Sequence, residues 1–361
     1  MSTAERRPTA GDAGPPRADA VHAAGEVPIG VGGPWFEDFR RGQVFDDAPG
    51  LTLGAGHAAL HQAIAGDRLR LALDAELARE VTARDAALAH PNLVCDVAIG
   101  QSTEPSQRVR GNLFYRGLVL ARPVFVGDTL RTSTEIVGLK QNRRRHDAPA
   151  TGLVAFRMRT VNQRGEPVLD FWRCPMIPLR DPDAETGHAD DFADIPQELD
   201  AAAAARAVPA DWRLEPLRDA APGPHHAQLA PEQAFVIEGG ETVTGAPELA
   251  RLTLNVAMAH TDATNSAHGR RLVYGGHTIS VAAAHATRAL PALATILAWQ
   301  SCDHLGPVFE GDVLRTELQV ERTQPLAGGG GLADLRALVA AVRDDGEPAP
   351  VLDWRFVALV A

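Results

Sequence analysis

Apolar and polar positions alternate over residues 130–137 and again over residues 314–320, the two-residue period of a strand with one buried face. Each run follows a Gly-Asp pair, Gly127-Asp128 and Gly311-Asp312, a turn signal that marks where the strand begins. Further on, Gly165 and Gly346 each sit after polar residues and between extended runs, which predicts a hairpin joining the last two strands of each unit. Upstream of each alternating run one segment reads as a helix of useful length, residues 93–100 in the first half and 278–290 in the second. The second is the better delimited: Gly275-Gly276 leads in, the body is rich in alanine, and Pro291 ends it. The order strand, helix, several antiparallel strands thus occurs twice. It predicts an α+β fold in which each half wraps an antiparallel sheet around one central helix.

Sliding the chain over itself shows that the two halves are copies. The stretch Pro123-Val124-Phe125-Val126-Gly127-Asp128-Thr129-Leu130-Arg131-Thr132 recurs as Pro307-Val308-Phe309-Glu310-Gly311-Asp312-Val313-Leu314-Arg315-Thr316, identical at eight of ten positions. Gly165-Glu166-Pro167 with Val168-Leu169-Asp170 returns as Gly346-Glu347-Pro348 with Val351-Leu352-Asp353 at nearly the same offset. Residues 1–33, rich in Ala, Gly, Pro and charge without periodicity, read as a disordered arm. Order is expected from Pro34-Trp35-Phe36, where a polar turn at Arg41-Gly42 leads into an extended stretch. A Pro-, Ala- and Asp-rich tract over residues 179–226 divides the chain and reads as a linker. The expected organisation is one unit over residues 34–178 and a second over 227–361.

A chain of 361 residues is long enough for two such cores. Its net charge of −11, and a single basic run at residues 143–145 without interleaved aromatics, argue against a nucleic-acid groove. The first thirty residues lack an apolar secretory core, and no run approaches a membrane span; a cytoplasmic protein is expected. Cys95, Cys174 and Cys302 are odd in number and far apart, which reads as core thiols rather than a disulfide framework or metal site.

The PVFxGD turn, the Gly-led central helix and the duplication together resemble the MaoC-like family of (R)-specific enoyl-CoA hydratases and dehydratases, whose unit is the hot-dog fold. Within it, Phe36-Glu37-Asp38-Phe39-Arg40-Arg41-Gly42-Gln43 and Gly269-Arg270-Arg271-Leu272-Val273-Tyr274-Gly275-Gly276-His277 resemble mesaconyl-CoA hydratases, also called β-methylmalyl-CoA dehydratases. The likeness covers nearly everything outside the arm and the linker, and implies a tandem double hot-dog that needs no cofactor or metal. The family's catalytic signature is an Asp followed five residues later by a His, ahead of the central helix. In the second half that spacing holds Asn255 and His260; in the first, Asp67 occupies the comparable place but Ala72 stands five residues on. The resemblance implies that one half keeps the active site, here the second, while the space of the other accommodates the acyl chain. It also implies an oxyanion donor from a backbone amide at the helix start, here Gly276 with Gly275 beside it. Glycine there lets a thioester approach, and the helix N-terminus favours developing negative charge.

Hydration of an enoyl thioester needs an acid/base group, a means of holding water and an oxyanion donor. His260 titrates near neutrality. Asn255 has no basic lone pair, though its amide can orient a water. Three arrangements are open: His260 acting alone, Asp262 supplying a carboxylate, or Asn255 positioning the water; the first and third together are the expectation. Coenzyme A calls for basic residues at the pocket mouth, for which Arg270, Arg271, Arg143, Arg144 and Arg145 are candidates, with plain solvated surface as the other reading. His277, His268 and Asp303-His304 have no spacing that demands a role, and no cation for the far carboxylate of a dicarboxylyl group is evident.

The expected function is reversible hydration of a short branched or dicarboxylic enoyl-CoA, mesaconyl-CoA leading. The partner is an acyl-CoA, with no nucleic acid or membrane, and a homodimer of the double unit is compatible with it. The rivals are a hot-dog thioesterase, which needs a carboxylate to activate water, and a non-catalytic acyl-thioester-binding protein.

Overall fold

The repeated PVFxGD turn has one local chemistry in both halves. Gly127 and Gly311 adopt φ of +107° and +90°, a region closed to residues with a Cβ. The neighbouring carboxylates then turn back, Asp128 Oδ2 accepting the Phe125 amide at 3.0 Å and Asp312 Oδ2 the Phe309 amide at 3.1 Å. Each turn launches the long strand read from the alternation.

The computed structural model describes residues 29–144, 149–343 and 346–361, so most of the arm read at residues 1–33, and Arg145, lie outside the described residues. Residues Gly33–Ala361 form one unit. Its first half carries β1 (Val44–Phe45), β2 (Leu51–Thr52), α1 (Ala55–Ala65), α2 (Arg70–Leu73), α3 (Ala75–Thr82), α4 (Pro91–Gln101), β3 (Gly111–Arg116), β4 (Leu118–Val119), β5 (Thr129–Gln141), β6 (Thr151–Val161) and β7 (Pro167–Pro178). After α5 (Ala201–Arg206) and α6 (Glu215–Ala220), the second half repeats the plan. It has β8 (Ala234–Val236), β9 (Glu241–Thr242), α7 (Ala246–Leu252), α8 (Met258–Thr261), α9 (Gly275–Ala289), β10 (Leu293–His304), β11 (Val313–Pro325), β12 (Gly331–Val342) and β13 (Pro348–Val360).

The antiparallel sheets follow the duplication. One runs β1-β5-β6-β7-β3 with β2 on β5, the other β10-β13-β12-β11-β8 with β9 on β11 and β4 added at its β10 edge. Leu118 and Val119 pair with Trp299 and Ala298, while Leu120 bridges to Leu169, so the segment around β4 ties the sheets together. The hairpins read at Gly165 and Gly346 join β6 to β7 and β12 to β13, with φ of +74° and +76°.

The central helices are α4 and α9, longer at their N-terminal ends than the periodicity showed because Pro91 and Gly275 occupy the first helical position. Every residue of α4 is buried. The two helices touch each other through Asn92 Nδ2, which donates to the Ile279 carbonyl at 3.3 Å. Around them one apolar cluster runs through both halves, including Phe156 and Phe171 on the first sheet and Trp354 and Phe356 on the second. Full burial of such side chains stabilises by roughly 1.5–3 kcal/mol each, a source large enough to fold the unit with its three cysteines unpaired and buried.

The tract over residues 179–226 is packed rather than loose: Phe192 and Ile195 cover the outer face of the first sheet beside Phe114 and Cys174, and Ala207, Leu214 and Leu217 join the main core. Of the helices ahead of α4 and α9, α2 and α8 are four residues each, too short to show a helical period, and α1, although 11 residues long, buries only His61 and Ala65. Among the described residues no helix is long and apolar enough to cross a membrane.

Candidate active site

The segment before α9 is clamped by the end of α4. Leu254 adopts φ of +61°, a costly conformation for a branched residue that persists where surroundings impose it. Thr103 imposes it here, its Oγ1 accepting the Val256 amide at 2.9 Å and reaching the Leu254 carbonyl at 3.5 Å. Asn255, 3 % exposed, lies between them. Its side chain accepts the Ala257 amide at 3.0 Å; because that partner is a donor, the oxygen is Oδ1 and the remaining end is the NH2 group.

One turn later His260 sets its Nδ1 2.9 Å from the Leu272 carbonyl. A carbonyl only accepts, so Nδ1 carries the proton and Nε2 keeps the lone pair. Burial lowers the His260 pKa, and the Leu272 carbonyl only partly offsets this; the imidazole is a neutral base at pH 7. Its ring lies 5.5 Å from that of Tyr274, the residue that precedes α9.

Asn255, His260 and Gly275 line one cavity of about 290 Å³. The wall opposite comes from the first half, with Ser106, Tyr115 and Arg173, and the mouth carries Arg110, His268 and His304. None of the described lining residues is acidic. His304 is driven down to about 4, first by desolvation and then by His260, although the residue is itself solvent-exposed, and water there softens such a shift. Arg173 is 3 % exposed, held by Ser102 and Ser106. None of these first-half residues stands out in the sequence: in β7 an inward arginine is one more position in an alternating strand. The Tyr115, Arg173 and Ser106 contribution becomes visible only when the sheets are joined.

The other predicted residues fall elsewhere. Gly276 does not line the cavity. A methyl on its Cα would collide with Asp96 Oδ1 and stand 2.5 Å from Tyr274 Cε1, so helix crossing, not thioester approach, requires the glycine. At Gly275 the same methyl would stand 2.5 Å from His304 Nε2. Both amides remain at the first turn of α9, where no carbonyl four residues back lies within the helix. Asp262 is exposed and outside the cavity lining, its carboxylate spent on the Thr264 amide and hydroxyl and on Asn265 Nδ2; it is not the auxiliary carboxylate. Arg270 and Arg271 follow the mouth residue His268 in sequence but turn to Phe309, at 3.5 Å, and to Glu310. Arg143 and Arg144 are outside the lining, Arg144 pairing with Asp183 at 3.1 Å, because β5 carries them to its far end. His277 is wholly buried, and neither ring nitrogen has a hydrogen-bond partner among the described residues. Asp303 is outside the lining.

The first half keeps the same frame without the cavity. Leu88 donates to the Leu71 carbonyl at 2.8 Å as Leu272 does to Ala259 at 2.9 Å, which places Ala72 where His260 stands. Pro91 replaces Gly275, removing an amide, and Leu120 replaces His304. The counterpart space, between Pro91, Leu120 and Val124, is closed by Ala207 from the connecting tract to about 10 Å³, at or below the room one water needs. Asp67 is instead bound into the core, with Oδ1 3.2 Å from His90 Nε2.

Among solved structures the chain is similar to a conserved hypothetical protein from Mycobacterium tuberculosis described as having a double hotdog fold, at 52 % identity and a TM-score of 0.85 over 92 % of this chain and 99 % of that one. It is also similar to a putative MaoC domain protein dehydratase from Chloroflexus aurantiacus, at 26 % identity and a TM-score of 0.78 over the same shares. The tandem α+β hot-dog architecture is therefore that of this chain. Among curated proteins it is 31 % identical over 326 residues to the mesaconyl-CoA hydratase of Cereibacter sphaeroides, covering 88 % of this chain and 91 % of that one. It is 29 % identical over 351 residues to the β-methylmalyl-CoA dehydratase of Chloroflexus aurantiacus, covering 91 % and 97 %. Residues 28–294 match the model of the mesaconyl-CoA hydratase family. With that match across most of its length, and with the Asn255/His260 pair in the cavity between its halves, the chain belongs to the mesaconyl-CoA hydratase family.

Proposed function

We propose that the protein catalyses reversible addition of water to the double bond of a dicarboxylic enoyl-CoA of the mesaconyl-CoA type, giving a β-methylmalyl-CoA type product. The observation that carries this reading is His260, its Nδ1 proton fixed on the Leu272 carbonyl and its ring on the wall of a cavity that also holds Asn255 and the N-terminus of α9. In the hydration direction, Nε2 takes a proton from water as the oxygen attacks Cβ, and the imidazolium returns a proton to Cα. The Asn255 NH2 group donates to the water oxygen, its carbonyl being held by Ala257. The thioester carbonyl gains negative charge as Cβ is attacked, and the amide of Gly275, the residue of the α9 N-terminus that lines the cavity, supplies a donor and a favourable dipole there. A single imidazole handling both transfers requires the hydroxyl and the proton to be added to the same face.

The thioesterase reading needs a carboxylate at the reacting carbonyl, and the described cavity lining contains none. The test is hydration and dehydration of a panel of enoyl-CoA thioesters by the wild type and His260→Ala, followed by mass spectrometry. Conversion of mesaconyl-CoA that vanishes in the variant supports the proposal; undiminished conversion by the variant overturns it.

A further inference from the structure

The cavity wall holds a cation without a matching anion. Arg173 is 3 % exposed, on β7 opposite Tyr115 of β3, and desolvation works against its charge without removing it. Burying an ionised group costs several kcal/mol unless it is paired, yet its protein partners are neutral. Nε donates to Ser102 Oγ at 3.0 Å, and Nη2 donates to the Ser102 carbonyl at 2.8 Å and to Ser106 Oγ at 2.7 Å. These account for three of the five N–H donors of a guanidinium. The two on Nη1 meet no described acceptor, and Nη1 is not among the buried polar atoms sealed away without a partner. No carboxylate forms an ion pair with Arg173 among the described residues.

The duplication shows that the scaffold does not need this charge. The bidentate pair Arg157–Asp170 on β6 and β7 recurs as Arg336–Asp353 on β12 and β13. That correspondence places Phe356, a core residue stacked on Trp354 at 4.0 Å, at the position of Arg173. One copy fills the place with an apolar ring; the copy that faces the cavity fills it with a buried arginine, oriented by two serines.

We infer that Arg173 is the specificity-determining residue of an anion subsite that binds the carboxylate of the acyl group, with the Nη1 edge as the donor. The subsite deepens the proposed function and rests on it for the identity of the acyl group. A planar guanidinium matches a carboxylate, and with no acidic residue among the described lining residues the substrate is left as the counter-ion.

The experiment uses saturated thioesters that cannot be hydrated, succinyl-CoA and butyryl-CoA, which share coenzyme A and differ at the end of the acyl chain in carboxylate against methyl. Calorimetric affinities are measured for the wild type, Arg173→Met and Arg173→Lys. The wild type is expected to prefer succinyl-CoA by roughly 100-fold, the range of a desolvated charge pair, Arg173→Met to lose the preference while still binding butyryl-CoA, and Arg173→Lys to recover part of it. A purely structural role for Arg173 would weaken both ligands alike and leave their ratio unchanged. Equal affinities in the wild type, or an unchanged ratio in Arg173→Met, would overturn the subsite; if the Met variant fails to fold, an unchanged ratio in Arg173→Lys overturns it. Failure to hydrate any enoyl-CoA with the ratio intact would instead remove the proposed reaction and leave the anion subsite standing.

Discussion

Asp67 and Asn255 occupy one position of a duplicated unit: each turns a side-chain oxygen onto the amide two residues on, Leu69 and Ala257, both at 3.0 Å. Their surroundings differ. Asp67 faces His90 in a sealed core and has Ala72 five residues downstream, whereas Asn255 lies on an open cavity and has His260 there. The residue that kept the carboxylate therefore stands in a sealed core, and the one that lost it stands on the cavity.

Asp67 should accordingly matter to stability and not to turnover. Burial disfavours its ionisation, but the neighbouring His90, with Nε2 3.2 Å from Oδ1, outweighs that and holds the carboxyl below its usual range. Asp67→Asn removes the charge opposite His90 and is expected to cost about 1–3 kcal/mol, read as a lower denaturant midpoint. Hydration per folded molecule should be unchanged; a large loss of activity at unchanged stability would contradict the structural assignment.

Acid should weaken the fold well before the carboxylates titrate. Burial lowers His61 to about 3, with His90 adding to the effect, and lowers His277 and His285 to about 4. In the unfolded chain these imidazoles titrate near 6.5. Between those limits the unfolded state binds more protons at these three positions, so their contribution is full above about pH 6.5 and falls as the pH drops toward 4, outweighing the opposite contribution of the one buried Asp96, whose carboxyl burial raises to about 7. Denaturation midpoints at pH 7.5 and 5 should show the fall. Because neither His277 nitrogen has a described partner, His277→Leu should be neutral or stabilising at pH 7 and shallower in its acid dependence. A destabilised variant with an unaltered slope would mean His277 has a partner of its own.

The glycines at the head of α9 separate fold from catalysis. Gly276→Ala drives a methyl into Asp96 Oδ1 and the Tyr274 ring, both buried. Burial raises the Asp96 pKa to about 7, against the hydrogen bond that the Ser280 hydroxyl donates to Oδ2 at 3.4 Å. Overpacking there should cost roughly 1–3 kcal/mol or more and lower the melting temperature. Gly275→Ala presses on the His304 ring, which has the cavity mouth to move into, so that variant should fold normally and lose activity. The reverse pattern, stable at 276 and unfolded at 275, would show that the helix crossing is looser than its geometry.

Local sequence carried the repeated frame because its turns and strands obey local rules: a glycine at positive φ, an aspartate folding back on an amide, a two-residue alternation. The Asn255/His260 spacing and the glycine pair were legible for the same reason, since a short stretch of chain sets them. The features that stayed hidden depend on joining the halves. Arg173 reads as one strand position until β7 faces the cavity, Ala207 reads as linker until it plugs the first-half space, and Gly276 reads as a binding feature until Asp96 of the other half is found against it. Asp262 misled because spacing does not reveal that its oxygens are already spent on Thr264 and Asn265.

Restoring the carboxylate of the family signature gives the sharpest test of the site. In Asn255→Asp one oxygen can still accept from Ala257, but the other replaces the NH2 group, so the contact with water changes from donating to accepting. The new charge would stand in a cavity otherwise free of acids, where two like charges about 5 Å apart repel by roughly 3 kcal/mol at an effective dielectric of 20. The kcat/KM for mesaconyl-CoA should fall by about 10-fold or more, whereas crotonyl-CoA, which lacks the second carboxylate, should lose less or gain. An anion near His260 also favours the imidazolium, raising a pKa that burial holds below its usual value. The acid limb of the rate profile, set by protonation of the base, should therefore move to higher pH. Parallel profiles and an unchanged ratio between the two substrates would show that residue 255 neither faces the acyl group nor shares the site with His260.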